Sequence, residues 1–370
     1  MKLSKGFVGR WDRAVGSRKA FSPFKLKYLT LRNRLGVAPM TRMSSPGDGV
    51  PRQDVLEFLV RRARNGAAVV YTEGIVTDYE SAQGYPRQAR LLTQRQIDAW
   101  RPVVAAIHDA GAVAIAQLFH CGRVSWAEVN PAARTIAPSA LVPKRANRLT
   151  GKPHPVPDVM SQFDIDHVIQ GFVETTKGVV AAGFDGVEIH GAHGYLISEF
   201  LSAYSNQRTD AYGGSVGNRY RFAQALIQAV RRVVPGDRLL TFRISNWSGS
   251  DPGVSLFSSK EEWQEIIQRL SCEELDAISV STADFREPSF GTDRTMAQIT
   301  REATNLPIFL CGGIHDRASA EAALADADVV LSAKSMLLNP NWVEDVRAGT
   351  PLRPFTQEEA GVAYSETPLP

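Results

Sequence analysis

Eight short runs rich in apolar and β-branched residues recur along the chain: LGVAPM at 35–40, AVVYTE at 68–73, AVAIAQL at 112–118, GVEIH at 186–190, LLTFRI at 239–244, AISVS at 277–281, PIFLCGG at 307–313 and DVVLSA at 328–333. They run apolar on both faces, which predicts strands buried on both sides. Stretches of helical period separate them. The stretch after Asp164 puts Ile165, Val168, Ile169, Phe172, Val173, Thr176, Val179 and Val180 on one face and stops at Gly183. Another, SSKEEWQEIIQRL, opens on a capping box formed by Ser259 and Glu262. Doubly buried strands alternating with helices call for parallel pairing under helical cover, and eight such units predict a closed (β/α)8 TIM barrel. The alternative, an open doubly wound sheet, would carry a glycine-rich dinucleotide turn after its first strand, and LGVAPM is followed by none. The segment from Phe119 to Phe163 contains APSALVPKRANRLTGKPHPVPDV and is too long and proline-rich for a plain β/α loop. It is expected as an excursion at the barrel mouth after the third strand. One domain is therefore expected over residues 1–370, the barrel filling about 30–350 between N- and C-terminal extensions.

Composition narrows the partners. Apolar residues make up 44% and charged residues 22% of the chain, ordinary values for a soluble globular protein. The formal charge is only +3 and the Lys and Arg are spread along the sequence, so neither nucleic acid nor a membrane surface is expected as the main partner. Cys121, Cys272 and Cys311 show no C-x-x-C spacing, which removes a cysteine-rich zinc site, an iron–sulfur cluster and a disulfide framework and fits a reducing cytosol. The opening MKLSKGFVGRWDRAVGSRKAF is basic but has no apolar core, and no later run is long and apolar enough for a membrane span. A cytoplasmic location is the expectation.

Barrel enzymes place their chemistry at the C-terminal ends of the strands. In order, those ends carry Pro39, Met40, Thr41 and Arg42; Glu73 and Gly74; Gln117 and His120; His190, His193 and Tyr195; Arg243; Ser281; Gly312 and Gly313; and Ala333 and Lys334. The glycine pair after the seventh run and the turn after the eighth lie where barrels commonly hold a phosphate on backbone N–H groups. Gln117 can donate and accept, and Arg243 is a fixed cation. Together they suit a heterocycle with imide edges and a polyol phosphate tail. HGAHGY admits three readings. Zinc would need further ligands, and His-x-x-His lacks the i, i+4 helical spacing of zinc hydrolases. Both histidines could pack. Or both imidazoles hydrogen-bond an anionic or carbonyl oxygen while Tyr195, a phenol protonated at neutral pH, supplies a proton. Arg42 and Glu73 read equally as a structural ion pair or as functional groups. Asn206, Arg208, Asp210, Tyr212 and Arg219 read as braces of the long loop that follows.

At this point the residues fall into a known pattern. DGVEIHGAHGYLISEFLSAYSNQRTDAYGGSVGNRYRF resembles the Old Yellow Enzyme family of FMN-dependent ene reductases, and the resemblance continues in NRLGVAPMTR, AQLFHCGR, FRIS, CGGI and LLNPNW. It implies a single barrel with non-covalent FMN at its mouth, NADPH or NADH as reductant, a small enone as substrate, and a monomer or homodimer. Carried over residue by residue, it implies that Pro39, Met40 and Thr41 lie against the flavin's face and edge, with the Thr41 hydroxyl on the O4 and N5 side. Gly74 would let the ring approach, Gln117 would bind the pyrimidine edge, Arg243 the N1 and O2 side, and the Gly312 and Gly313 backbone the phosphate. His190 and His193 would hold the substrate's carbonyl oxygen, and Tyr195 would protonate the carbon next to it. The implied reaction is reduction of an activated C=C bond. Amine dehydrogenation or demethylation, flavin binding without turnover, and a metal-dependent barrel hydrolase are the alternatives. The chain departs from the family at the eighth turn, where Ala333-Lys334 replaces the usual Gly-Arg and keeps a cation without the planar guanidinium. It also has neither the length nor the cysteines for the iron–sulfur and second nucleotide domain of larger relatives.

Overall fold

In a computed structural model of the chain, eight parallel strands close into a barrel in sequence order. They are β1 (Leu35–Val37), β2 (Val69–Val76), β3 (Val113–Phe119), β4 (Gly186–His193), β5 (Leu239–Ser248), β6 (Ala277–Ser281), β7 (Ile308–Cys311) and β8 (Val329–Ser332). Each grew from one of the apolar runs. The structure describes residues 19–43, 45–125, 129, 134–147, 150–356 and 358–359. The basic opening stretch up to residue 18, parts of the excursion and the last part of the C-terminal extension lie outside them.

The helices that cover the barrel are α1 (Gln53–Arg64), α2 (Gln94–Asp109), α3 (Gln162–Ala182), α4 (Leu196–Leu201), α5 (Val216–Arg231), α6 (Lys260–Ser271), α7 (Met296–Ala303), α8 (Arg317–Ala323), α9 (Lys334–Leu338) and α10 (Trp342–Ala348). The expected stripe of α3 buries Ile165, Val168, Phe172, Thr176 and Val179 and half-buries Ile169, Val173 and Val180. Ser161 and Asp164 cap its start reciprocally, and Gly183 ends it at φ 93°, a left-handed conformation that favours glycine. The capping box expected on α6 is only half made. The Ser259 hydroxyl accepts from Glu262 N at 3.2 Å, but the Glu262 carboxylate reaches one residue further back, to Ser258 N at 2.7 Å and Ser258 Oγ at 2.6 Å. Its other oxygen pairs with the guanidinium of Arg219, so a charged partner on α5 outcompetes the local amide.

Among the described residues the apolar core has two large parts and a small third one, in which Val76, Ala82, Phe119 and Cys121 pack against Tyr85 and Tyr195. The largest lies between strands and helices and holds Trp100, Phe172, Phe222 and Trp263. The second fills the N-terminal end of the barrel, where a hairpin pairing Phe24–Leu26 with Leu29–Leu31 drives Leu26 and Leu31 onto Ala68, Val69, Leu239, Ala277 and Val329. Burial of one such leucine contributes roughly 1.5–3 kcal/mol. The excursion between β3 and α3 is tied down by buried Arg123. Its guanidinium donates to Asp251 Oδ2 at 2.6 Å and to the Leu141 carbonyl at 3.3 Å, while Asp251 Oδ1 accepts from Lys144 N at 3.1 Å. These ties fold the excursion over the C-terminal mouth. No helix among the described residues is long and apolar enough to cross a membrane.

Candidate active site

A cavity of about 560 Å³ opens at that mouth. It gathers Pro39, Met40 and Thr41 from beyond β1, His193 and Tyr195 from the end of β4, and Ala333 and Lys334 from beyond β8. Trp247 of β5, Arg145 and His154 of the excursion, Tyr85 and Phe355 add to its wall. Gln117, His190 and Arg243 are buried beside it.

A polar chain crosses the barrel interior. Gln117 Nε2 donates to Glu188 Oε1 at 2.7 Å, and Arg243 Nη1 lies 4.0 Å from the same oxygen. Arg243 also donates to Ser279 Oγ at 3.0 Å and to Ser281 Oγ at 3.3 Å, and Ser281 Oγ lies 2.8 Å from His193 Nε2. Glu188 fixes the sense of the Gln117 amide, because a carboxylate accepts the NH2 side and turns Oε1 toward whatever lies opposite. Burial raises the Glu188 carboxyl above the usual carboxylate range even with Arg243 opposing it. Among the described residues the buried Nε of Arg243 has no hydrogen-bond partner. A buried donor left over in this way, next to an amide with a spare acceptor, fits a planar heterocycle that offers both acceptors and an N–H.

The histidines are neutral. Burial, helped by Arg243, pushes His190 down to about 3, and burial, His190 and Arg243 hold His193 well below the ordinary histidine value. Each ring then carries one hydrogen, and for His190 a backbone neighbour decides where. His190 Nδ1 accepts from Ala192 N at 3.2 Å, which places the hydrogen on Nε2. Arg243 can only donate, so Ser281 Oγ accepts from it; with a second lone pair and one hydrogen of its own, the serine can serve either tautomer of His193 at Nε2. Among the described residues His190 thus keeps its Nε2–H unspent. The two ring centres lie 5.0 Å apart at 85°, and Tyr195 stands edge-on to His190 at 5.2 Å. His193 also packs against Trp247, ring centres 4.3 Å apart and tilted by 30°, and its backbone sits at φ 65°.

Several strand-end residues have roles that spacing did not reveal. Glu73 is buried, and its Oε2 accepts from Arg42 N at 3.0 Å and Met43 N at 3.3 Å. It therefore fixes the Pro39–Thr41 segment through the backbone that follows it. Burial pushes this carboxyl up to about 7 against the pull of the two amides. The Arg42 guanidinium lies 3.9 Å from the centre of the Phe58 ring. Gly74 has a packing reason of its own, since a Cβ there would meet Phe119 Cβ at 2.9 Å. Gly312 sits at φ 130°, and a Cβ would meet the Thr282 carbonyl at 2.2 Å, so this turn after β7 requires glycine whatever it binds. Lys334 is exposed, with its ammonium 5.2 Å from the centre of the Phe355 ring. His120 is buried, with Nδ1 accepting from Gly122 N at 3.1 Å and Nε2 lying 3.0 Å from Ser81 Oγ, and serves the loop. Asn206 and Arg208 brace as expected, donating to the carbonyls of Phe200, Tyr212 and Met160.

The sequence reading missed Glu188 and Tyr85 and gave Ser281 no role. A lone carboxylate within GVEIH could have drawn attention, because a charge in a strand buried on both faces needs partners. Among the described residues no group of three or more His, Cys, Asp or Glu side chains is placed to hold a metal ion.

Comparison with known proteins gives the chain a family. The profile of the NADH:flavin oxidoreductase / NADH oxidase family matches residues 19–353. The chain is 30% identical to putative 12-oxophytodienoate reductase 4 of Oryza sativa subsp. japonica, over 94% of this chain and 92% of that protein. It is equally, at 30%, identical to a probable flavin mononucleotide-dependent alkene reductase of Leishmania infantum, over 92% of this chain and 94% of that protein. Among solved structures, the Old Yellow Enzyme homologue from Zymomonas mobilis superposes with a TM-score of 0.84 at 26% identity, covering 95% of this chain and 97% of that one. A morphinone reductase mutant in complex with tetrahydroNAD gives a TM-score of 0.78 at 28% identity, covering 91% and 92%.

Proposed function

Because the chain belongs to the NADH:flavin oxidoreductase / NADH oxidase family and is thus an FMN-dependent oxidoreductase, we propose that it reduces the activated C=C bond of α,β-unsaturated carbonyl compounds with NAD(P)H. Two relatives support the substrate class by name, a 12-oxophytodienoate reductase and an alkene reductase. Gln117 and Arg243 would hold the ring edge of FMN, Pro39, Met40, Thr41 and Gly74 its face, and Gly312, Gly313, Ala333 and Lys334 its phosphate. FMN, when bound, carries hydride between NAD(P)H and the substrate.

The observation that carries the reading is the pair of buried imidazoles, held uncharged, beside a phenol. His190 and His193 would donate to the substrate's carbonyl oxygen. Charge moves onto that oxygen as the β-carbon is reduced, so two donors already in place stabilise the enolate-like state more than the substrate. Tyr195 would then deliver its proton to the α-carbon and complete the addition of hydrogen.

The purified protein should be yellow, and heat or acid should release FMN, identified by chromatography. The reduced protein should be reoxidised by an enone such as cyclohexenone under anaerobic conditions. Colourless protein that takes up no FMN, stoichiometric zinc in its place, or reduced flavin that ignores enones would refute the proposal.

A further inference from the structure

The hydroxyl oxygen of Tyr195 lies 2.6 Å from that of Tyr85, which belongs to the segment joining β2 to α2. The placement of Tyr85 is built. Gln88 Oε1 accepts from both Gly84 N and Tyr85 N at 3.0 Å, Gln83 Nε2 donates to the Tyr85 carbonyl at 2.9 Å, and Arg90 Nη2 holds Gln83 Oε1 at 2.7 Å. Gln83, Gln88 and Arg90 are all buried, so the loop is set from beneath by side chains that have little room to rearrange. The Tyr195 ring is held as well, by Phe119 at 4.6 Å edge-on. Both phenols are half-buried and reach the cavity.

Two phenols that share one hydrogen bond cannot both donate. Were Tyr195 the donor, its hydrogen would point at Tyr85 and away from any substrate. With Tyr85 as donor, the Tyr195 hydrogen is not spent on Tyr85, and the oxygen left after proton transfer keeps a partner. A hydrogen bond to an ionised acceptor is shorter and about twice as strong as a neutral one, so this contact tightens as Tyr195 loses its proton.

We propose that Tyr85 is the positioning residue of proton delivery: it donates to Tyr195 Oη, aims the Tyr195 hydrogen at the substrate, and passes its own hydrogen on as Tyr195 is spent. The proposal rests on the reading of Tyr195 as the acid of an enone reductase. In the step, the Tyr195 O–H bond breaks as a C–H bond forms at the α-carbon, the Tyr85 hydrogen moves to Tyr195 Oη, and solvent returns a proton to Tyr85.

Tyr85→Phe keeps the ring and removes only the hydroxyl. In stopped-flow with the FMN-loaded protein and cyclohexenone, enone-driven reoxidation should slow roughly tenfold or more relative to reduction by NAD(P)H, the cost of a hydrogen bond to a charged group. Its solvent deuterium isotope effect should also grow. Tyr85→Leu should be as slow as Tyr85→Phe. A role in shape alone would leave Phe fast and Leu slow. Independently of turnover, fluorine NMR of fluorotyrosine-labelled protein should show the Tyr195 ring ionising at higher pH in Tyr85→Phe than in the wild type. A proton inventory on the wild-type enzyme, which needs no variant, should be curved, with two hydrogens in motion. A straight inventory, identical NMR titrations, or wild-type rate and isotope effect in Tyr85→Phe each overturn the proposal. Wild-type reduced flavin that ignores the enone sinks the functional reading itself. A slow Tyr195→Phe beside a fast Tyr85→Phe sinks this inference alone.

Discussion

At the N-terminal end of the barrel, Leu26 and Leu31 of the hairpin close on Val69, Leu239, Ala277 and Val329; toward the C-terminal end, β3 to β6 present Gln117, His190, Arg243 and Ser281. The first end is apolar side chain against apolar side chain, and its contribution is burial. The second holds a carboxyl raised by burial, a guanidinium nitrogen without a partner among the described residues, and a non-glycine residue in the left-handed region. Such costs are sustained by the rest of the fold, and they gather where a ligand could relieve them. The contrast separates residues whose loss should be read in stability from those whose loss should be read in rate.

The largest break in that contrast should come from Tyr195→Phe, which preserves packing and removes one proton. Stopped-flow measurement of the two half-reactions should show enone-driven reoxidation slowed by about 10² to 10⁴ relative to flavin reduction. Equal slowing of both halves would point to a disturbed flavin pocket. His190→Ala and His193→Ala should each slow reoxidation by roughly a hundredfold and weaken phenol binding while FMN is retained, the expected loss for one donor to a developing oxyanion. Variants that shed FMN and unfold would make the histidines structural. Leu31→Ala tests the opposite end. It should lower unfolding free energy by about 2–5 kcal/mol in denaturant titration and leave both half-reaction rates of the folded enzyme as they were.

A pH-dependent effect should come from Glu199 of α4, which ties the mouth together. It is buried, its Oε1 accepts from Arg123 N at 3.1 Å, and burial pushes its carboxyl up to about 8 despite Arg123. A carboxyl whose folded pKa is raised contributes stability below its ordinary pKa and loses it as pH rises through the folded value. Wild-type thermal stability should therefore carry a downward component between about pH 5 and pH 8 that Glu199→Gln lacks. Melting curves of the two proteins that stay parallel across that window would count against a proton on Glu199.

The strands were legible because each run is apolar on both faces, and that same property hid what they enclose. In a strand covered on both sides, hydropathy does not distinguish the side chain facing a helix from the one facing the barrel interior, so Glu188 passed as part of a strand body. The strand-end residues Pro39, Thr41, His193, Tyr195 and Lys334 could be collected from sequence because a barrel brings all strand ends to one mouth. Tyr85 could not, since it lies 110 residues from Tyr195 on a loop whose path is set by buried glutamine side chains. Glu262 shows the same limit on a small scale: its local amide was visible in the sequence, and its competitor Arg219 was not.

The φ of 65° at His193 bears on how this pocket can change over generations. Left-handed backbone resists branched and bulky side chains and is most readily shared by asparagine, aspartate and histidine. Of these, asparagine is also a neutral hydrogen-bond donor. A lineage that exchanged the ring at 193 for an amide would therefore cross little backbone strain and keep a donor in place. One that tried valine or leucine would meet a penalty from the main chain before the chemistry of the side chain was ever put to the test.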